Sequence, residues 1–243
     1  MELNDKVVLV TGGGSGIGLG IALALAEEGC RVAICGRDEK KLAAAAGQFT
    51  DSPPIVFRSC DVSDREGVRQ LAAWTVAELG PIDILATSAG INVVNRSMER
   101  LDPSDWDRIV AINATGTYNC IHAVLPSMRE RRTGLIVNIS SIAGKRALML
   151  AGPAYAASKF AATALGTAVG QEIKADGVRV TNIYPGEVNT PILDQRPEPV
   201  PDERKAVMVH PEDIGAMVVA IAKLPGHVQV PELVITPLYQ DYV

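Results

Sequence analysis

The segment Thr11-Gly12-Gly13-Gly14-Ser15-Gly16-Ile17-Gly18 constrains this chain more than any other. It stands directly between an apolar β-branched run, Val7 to Thr11, and an amphipathic stretch, Ile17 to Glu28. Glycines are needed where a chain turns tightly, where backbone N–H groups must approach a pyrophosphate without a Cβ in the way, and where a helix packs closely on a strand. The helix that follows adds the partial positive charge of its N-terminus. In a different context the same glycines would read as a flexible turn; strand before and helix after make them a dinucleotide phosphate site.

The rest of the chain repeats that β-then-α rhythm. Strands are predicted at Val7 to Thr11, Arg31 to Cys35, Ile55 to Cys60, Ile82 to Thr87, Gly134 to Ser140, Val178 to Tyr184 and Leu233 to Thr236. Helices are predicted at Ile17 to Glu28, Asp38 to Phe49, Arg65 to Leu79, Ser104 to Met128, Pro153 to Ala175 and Pro211 to Lys223. Such alternation is the pattern of a doubly wound parallel β-sheet with helices on both faces, a three-layer α/β/α architecture. With 243 residues and 47% hydrophobic content the chain can bury a full core, and one domain spanning 1–243 is expected. Asn189 to Val209 breaks the rhythm with several prolines and charges and no period, so it reads as a substrate-loop insertion.

Composition narrows the partners. A net charge of -5 gives no electrostatic reason to expect nucleic acid, and no stretch approaches the length of apolar residues that spans a bilayer. Cys30, Cys35, Cys60 and Cys120 show no C-x-x-C spacing and lie mostly in apolar runs, as buried free thiols do in a reducing compartment. Met1 to Asp5 is short and polar, unlike a signal peptide. A cytoplasmic protein with a small-molecule ligand is expected. His122, His210 and His227 are scattered, so no metal site is expected.

From the spacing of its first turn onward, the chain resembles the short-chain dehydrogenase/reductase family, including its 3-oxoacyl-ACP reductase-like members. The resemblance continues in order through Cys60-Asp61-Val62, Asn113, Ile136-Val137-Asn138-Ile139-Ser140-Ser141, Tyr155-Ala156-Ala157-Ser158-Lys159, and Tyr184-Pro185-Gly186 with Thr190. It implies a Rossmann fold and hydride transfer between a nicotinamide cofactor and a carbonyl or secondary alcohol. By that likeness the catalytic residues are Asn113, Ser141, Tyr155 and Lys159. The cofactor residues are Gly12, Gly14, Ser15, Gly16, Ile17, Gly18, Arg37, Asp61, Val62, Ala89, Gly90, Tyr155, Lys159, Pro185, Gly186, Val188 and Thr190. It further implies that the helix around Asn113 is locally distorted, with a water in contact with Lys159, and that the fourth and fifth long helices form the interfaces of a homotetramer.

Elementary chemistry gives several of these residues the same work. Tyr155 and Lys159 are four apart and share one helix face. A phenol with an ordinary pKa near 10 exchanges protons poorly at neutral pH, and a nearby ammonium is expected to lower that value. Ser141 ends a strand at the carboxyl edge, where open α/β sheets bind ligands, and can hydrogen-bond an oxygen as charge develops. Alone, Tyr and Lys would read as a surface pair and Ser as a turn former; their order behind a dinucleotide turn decides between the readings. Rival readings are a non-catalytic dinucleotide sensor or scaffold, against which the complete set of four argues, and an epimerase or isomerase on the same fold.

Two departures from the family pattern stand out. Thr87-Ser88-Ala89-Gly90 replaces Asn-Asn-Ala-Gly, which puts the stability of the central sheet in question, and the C-terminal segment from Pro231 lacks a glycine-rich finish. Cofactor preference turns on the end of the second strand, Ile34-Cys35-Gly36-Arg37-Asp38. Gly36 stands where an acidic NAD determinant would, and Arg37 suits the 2′-phosphate of NADP, so NADP(H) is expected; NAD(H) is the alternative, with Asp38 as its ribose ligand. Ala147 to Leu150 suggests an apolar pocket wall compatible with aliphatic ketones, 3-oxoacyl thioesters, steroids or sugars.

Overall fold

The computed structural model describes residues 2–241, so Met1 of the polar N-terminal stretch lies outside them. Seven strands form one parallel sheet: β1 (Val7–Thr11), β2 (Arg31–Gly36), β3 (Val56–Ser59), β4 (Ile84–Thr87), β5 (Gly134–Ile139), β6 (Val178–Pro185) and β7 (Glu232–Ile235). Their spatial order is β3-β2-β1-β4-β5-β6-β7. The chain therefore winds outward from β1 to β3 and returns to the other side of β1 as β4, which opens a crevice at the carboxyl ends of β1 and β4. β-branched and apolar residues fill strands covered on both faces, and β1 and β6 are buried throughout.

Helices cover both faces because consecutive strand residues point to opposite sides. Val8 and Val10 pack with α1 (Gly16–Glu27), α2 (Glu39–Ala46) and α8 (Pro211–Lys223), whereas Val7 and Leu9 pack with α3 (Arg65–Leu79) and α5 (Gly116–Arg131). The latter face also takes α6 (Pro153–Ile173) and, at its edge, α4 (Pro103–Val110). The four cysteines are buried and free. Among the described residues no helix is long and apolar enough to cross a membrane.

Three differences from the sequence reading have local causes. The helix expected over Ser104 to Met128 is divided into α4 and α5, the latter continuing to Arg131, by a π-helical turn at Ala111–Thr115, the local distortion that the resemblance implies around Asn113. A π turn accommodates one extra residue without ending the helix, so the apolar period does not reveal it. The 189–209 segment is not wholly irregular: a 3-10 turn at Pro191–Gln195 and a short α7 (Asp202–Lys205) lie within it, closed by a bridge from Val188 to Val209. The last strand begins one residue early, at Glu232, and ends at Ile235.

Candidate active site

The carboxyl ends of the strands open into two adjoining cavities of about 520 and 650 Å³. Every cofactor residue expected from the sequence lines one or both, with the exception of Gly18. Gly18 lies beneath the turn, where a Cβ would stand 2.4 Å from the Gly12 carbonyl oxygen. Its contribution is close packing of helix on strand, which fixes the turn above it.

Tyr155 and Lys159 occupy the first two turns of α6, one above the other. Pro153 opens the helix and Gly152, at φ +76°, is its cap. The Lys159 ammonium donates to the Ile139 carbonyl at the end of β5 (2.9 Å), and its Nζ lies 5.7 Å from the Tyr155 ring centroid. Burial pushes the Lys159 pKa down to about 8. Burial also raises the phenol of Tyr155, against the lowering effect of a hydrogen bond with the Ser141 side chain and of the Arg96 charge. The expectation of a lowered Tyr155 pKa is thus corrected: burial outweighs the groups that lower it. The ammonium is engaged with a strand carbonyl, and the opposing groups are Ser141 and Arg96.

The two serines at the end of β5 are sorted by strand alternation. Ser140 points back into the protein, bonded to the Lys159 carbonyl (3.1 Å) and the Thr163 hydroxyl (2.8 Å). Ser141 lines the 520 Å³ cavity with Tyr155, and its Oγ accepts from the Ala143 N–H at 3.1 Å. Asn113 lies at the centre of the π turn, buried behind the cavity wall. Its amide exchanges bonds with the Ile91 backbone (2.8 and 3.0 Å) and donates to Ser158 Oγ (3.0 Å). Its own carbonyl, displaced from the regular helical ladder, accepts from the Thr117 hydroxyl at 2.8 Å.

The cavities suit an extended dinucleotide. A Cβ on Gly14 or Gly36 would meet nothing closer than 3.5 Å, so the open space beside both is available to a ligand. Asp61 accepts from the Ser63 N–H (2.9 Å) and hydroxyl (2.7 Å), bonds that overcome burial and hold its carboxyl below the ordinary value. Asp38 accepts from the Lys41 N–H (3.1 Å) as the cap of α2. Arg37 and Lys41 both line the 650 Å³ cavity beside Gly36.

Residues 6–200 match the family model for short chain dehydrogenase. The chain belongs to the short-chain dehydrogenase family. An uncharacterized oxidoreductase of Staphylococcus saprophyticus is 36% identical over 244 residues, covering 98% of this chain and all of the relative. Among solved structures, an alcohol dehydrogenase from Thermococcus sibiricus complexed with 5-hydroxy-NADP superimposes with a TM-score of 0.87 at 28% identity, covering 98% of this chain and 99% of that one. A single-substitution variant of actinorhodin polyketide ketoreductase with NADPH gives 0.87 at 31% identity, covering 98% of each chain.

In this short-chain dehydrogenase the cavity is also framed by residues its sequence does not announce. Glu187, one residue past the Pro185-Gly186 turn and 7% exposed, accepts from Arg196 (2.8 Å), Arg204 (2.9 Å) and the Tyr239 hydroxyl (2.5 Å). Its N–H donates to Gln240 Oε1 at 2.9 Å. One carboxylate thereby ties the 189–209 segment and the C-terminal segment to the cavity. Arg96 crosses from the loop after β4 and bonds three carbonyls around the same cavity. For Glu187 the available signal was a charged side chain beside Gly186, which usually means a solvated surface.

Proposed function

We propose that this oxidoreductase interconverts a carbonyl compound and its secondary alcohol, with Tyr155 as general acid and base, and prefers NADP(H) to NAD(H). One observation carries the reading. Half-buried Tyr155 and buried Lys159 share one helix face at the cavity, with the Ser141 side chain bonded to the Tyr155 hydroxyl. A nicotinamide cofactor held in these cavities would supply the hydride for the carbonyl carbon, or accept one from the alcohol.

Tyr155 gives its phenolic proton to the carbonyl oxygen in reduction and recovers it in oxidation. Ser141 donates to the same oxygen as negative charge develops there. Lys159 would hold the nicotinamide ribose through its ammonium, which burial prepares for proton exchange near pH 8. Asn113 fixes the loop at Ile91 and the helix at Ser158, so it positions the walls on either side of Lys159 and completes a proton path toward solvent. Arg37 and Lys41 bring two cations to the end of the cavity where Gly36 leaves room for a 2′-phosphate, while Asp38 is committed to capping α2.

The test is a spectrophotometric screen of carbonyl compounds and alcohols with both nicotinamide cofactors, repeated with Tyr155→Phe. The variant is expected to bind cofactor normally and lose about a hundredfold to ten-thousandfold in turnover. Turnover near the wild-type rate would remove Tyr155 from the chemistry.

A further inference from the structure

The substrate end of the cavity carries positive charge that the protein leaves unbalanced. Arg96 sits on the loop between β4 and α4, and its Nε donates to the Val93 carbonyl (2.8 Å), one terminal nitrogen to Leu150 (3.1 Å) and the other to Gln195. A guanidinium has five N–H groups, so one N–H on each terminal nitrogen is left over. Arg196, whose side chain is 14% exposed, lines the same cavity, and its charge acts against that of Arg96. Glu187 is the carboxylate bonded to Arg196, but it also serves Arg204. Arg204 is itself half exposed and served by solvent, so Glu187 answers mainly to Arg196, whereas Arg96 bonds only carbonyls; its charge is one that a partly buried site tolerates poorly without a further anion.

The position of Arg96 is built rather than incidental. Gly152 caps α6 three residues before Tyr155, and a Cβ there would stand 2.5 Å from the Arg96 carbonyl oxygen and 2.8 Å from its Cβ. This close approach sets Arg96 in register with Tyr155, near enough for the two groups to influence each other. The dinucleotide's phosphates belong at the opposite end, over Gly12 to Ile17. Leu148, Leu150 and Ile192 supply apolar wall to the same cavity.

We infer that Arg96, assisted by Arg196, recognises a carboxylate on the substrate, so that the enzyme acts on short oxo acids and the matching hydroxy acids. This rests on the reading of Tyr155 and Ser141 given above. The carboxylate pairs with the free guanidinium N–H groups, the carbon chain lies on the apolar wall, and the carbonyl oxygen meets Tyr155 and Ser141. In reduction the carbonyl carbon gains the hydride from the reduced nicotinamide, its oxygen gains the Tyr155 proton, and the carboxylate is unchanged.

The experiment compares kcat/KM for 3-oxobutanoate with its methyl ester, and for 4-oxopentanoate with its methyl ester, using the full-length chain and reduced cofactor. The acid is expected to exceed its ester by about tenfold to a hundredfold in at least one pair. Arg96→Gln should lower that ratio by about tenfold or more, and Arg96→Lys should retain part of it. If Arg96→Gln does not fold, Arg196→Gln carries the comparison, with a fall of about threefold or more expected. Equal use of acid and ester by the wild type, or variants that slow both alike and leave the ratio unchanged, would overturn carboxylate recognition while leaving the oxidoreductase reading in place. No turnover of either pair while other compounds in the wider screen are turned over would overturn carboxylate recognition alone, and no turnover of any compound would overturn both.

Discussion

Asn138→Ala should cost this protein a large part of its stability. Asn138 lies in β5, in register with Thr87 of β4 and Asn182 of β6, and is fully buried. Its Oδ1 accepts from the Thr87 hydroxyl at 3.0 Å, and its Nδ2 donates to the Ala162 carbonyl in α6 (2.9 Å) and to Asn182 Oδ1 (2.8 Å). Truncation strands the Thr87 hydroxyl and the Asn182 carbonyl oxygen, which are 3% and 2% exposed by residue. Each orphaned buried polar group costs about 1–3 kcal/mol, so a loss of about 4 kcal/mol is expected. In a chain of this size that corresponds to a fall in melting temperature of about 8–16 °C. Urea denaturation followed by circular dichroism, alongside calorimetry, measures both quantities. Because the network pins β5, which leads to Ser141, against α6, which carries Tyr155, catalytic efficiency should fall as well. A stability loss below about 1 kcal/mol would refute the argument that this amide ladder holds the sheet to α6.

Three further outcomes follow from the site. Lys159 in the free protein has a pKa near 8, lowered by burial, so it is charged below that pH and neutral above it. Cofactor binding draws on the ammonium; affinity should be level below pH 7 and weaken above pH 8 by at most about tenfold per unit, one proton being linked. Isothermal titration from pH 6.5 to 9.5 measures this, Lys159→Met should abolish the dependence, and a flat wild-type profile would refute it. Gly36→Asp should shift preference toward NAD(H) by about tenfold to a hundredfold, since a carboxylate fits the open space beside Leu42 and would repel a 2′-phosphate. Wild-type preference for NAD(H), unaltered by Arg37→Ala in paired kinetic assays, would instead make Asp38 the ribose ligand. The chain should form a homotetramer through α4, α5 and α6, whose exposed Trp106, Tyr118 and Phe160 need cover; a one-chain mass by light scattering at micromolar concentration would exclude that.

Much of the site was legible because its determinants are local. The glycine turn, the strand-end Ser141 and the Tyr155–Lys159 pair each depend on spacing within one element, so strand and helix periods place them while the family resemblance implies their roles. The replacement of two family asparagines at Thr87 and Ser88 raised a question about the sheet that only cross-strand register could answer. Thr87 reaches Asn138, while the N–H groups of Ser88 and Ala89 turn to the Thr11 hydroxyl at 3.2 Å. The segment 189–209 read as irregular because its 3-10 turn and four-residue helix are too short to show a period.

Arg96 shows why the remaining part of the site was hidden. Among the loop residues Asn95-Arg96-Ser97 an arginine reads as a solvated charge, and nothing within ten positions contradicts that. Its environment is assembled by Leu150 and Gln195, which lie 54 and 99 residues further along the chain, and by a glycine that admits its backbone beside α6. Glu187 is similar: its partners come from the loop after β6 and from Tyr239, 52 residues away. Both charges became functional candidates only when the three segments around the substrate end were seen to converge on one cavity. In a fold whose glycine turn and Tyr155 helix are set by local sequence, the charges that line the far end of the cavity are therefore those whose contacts are most distant in the chain.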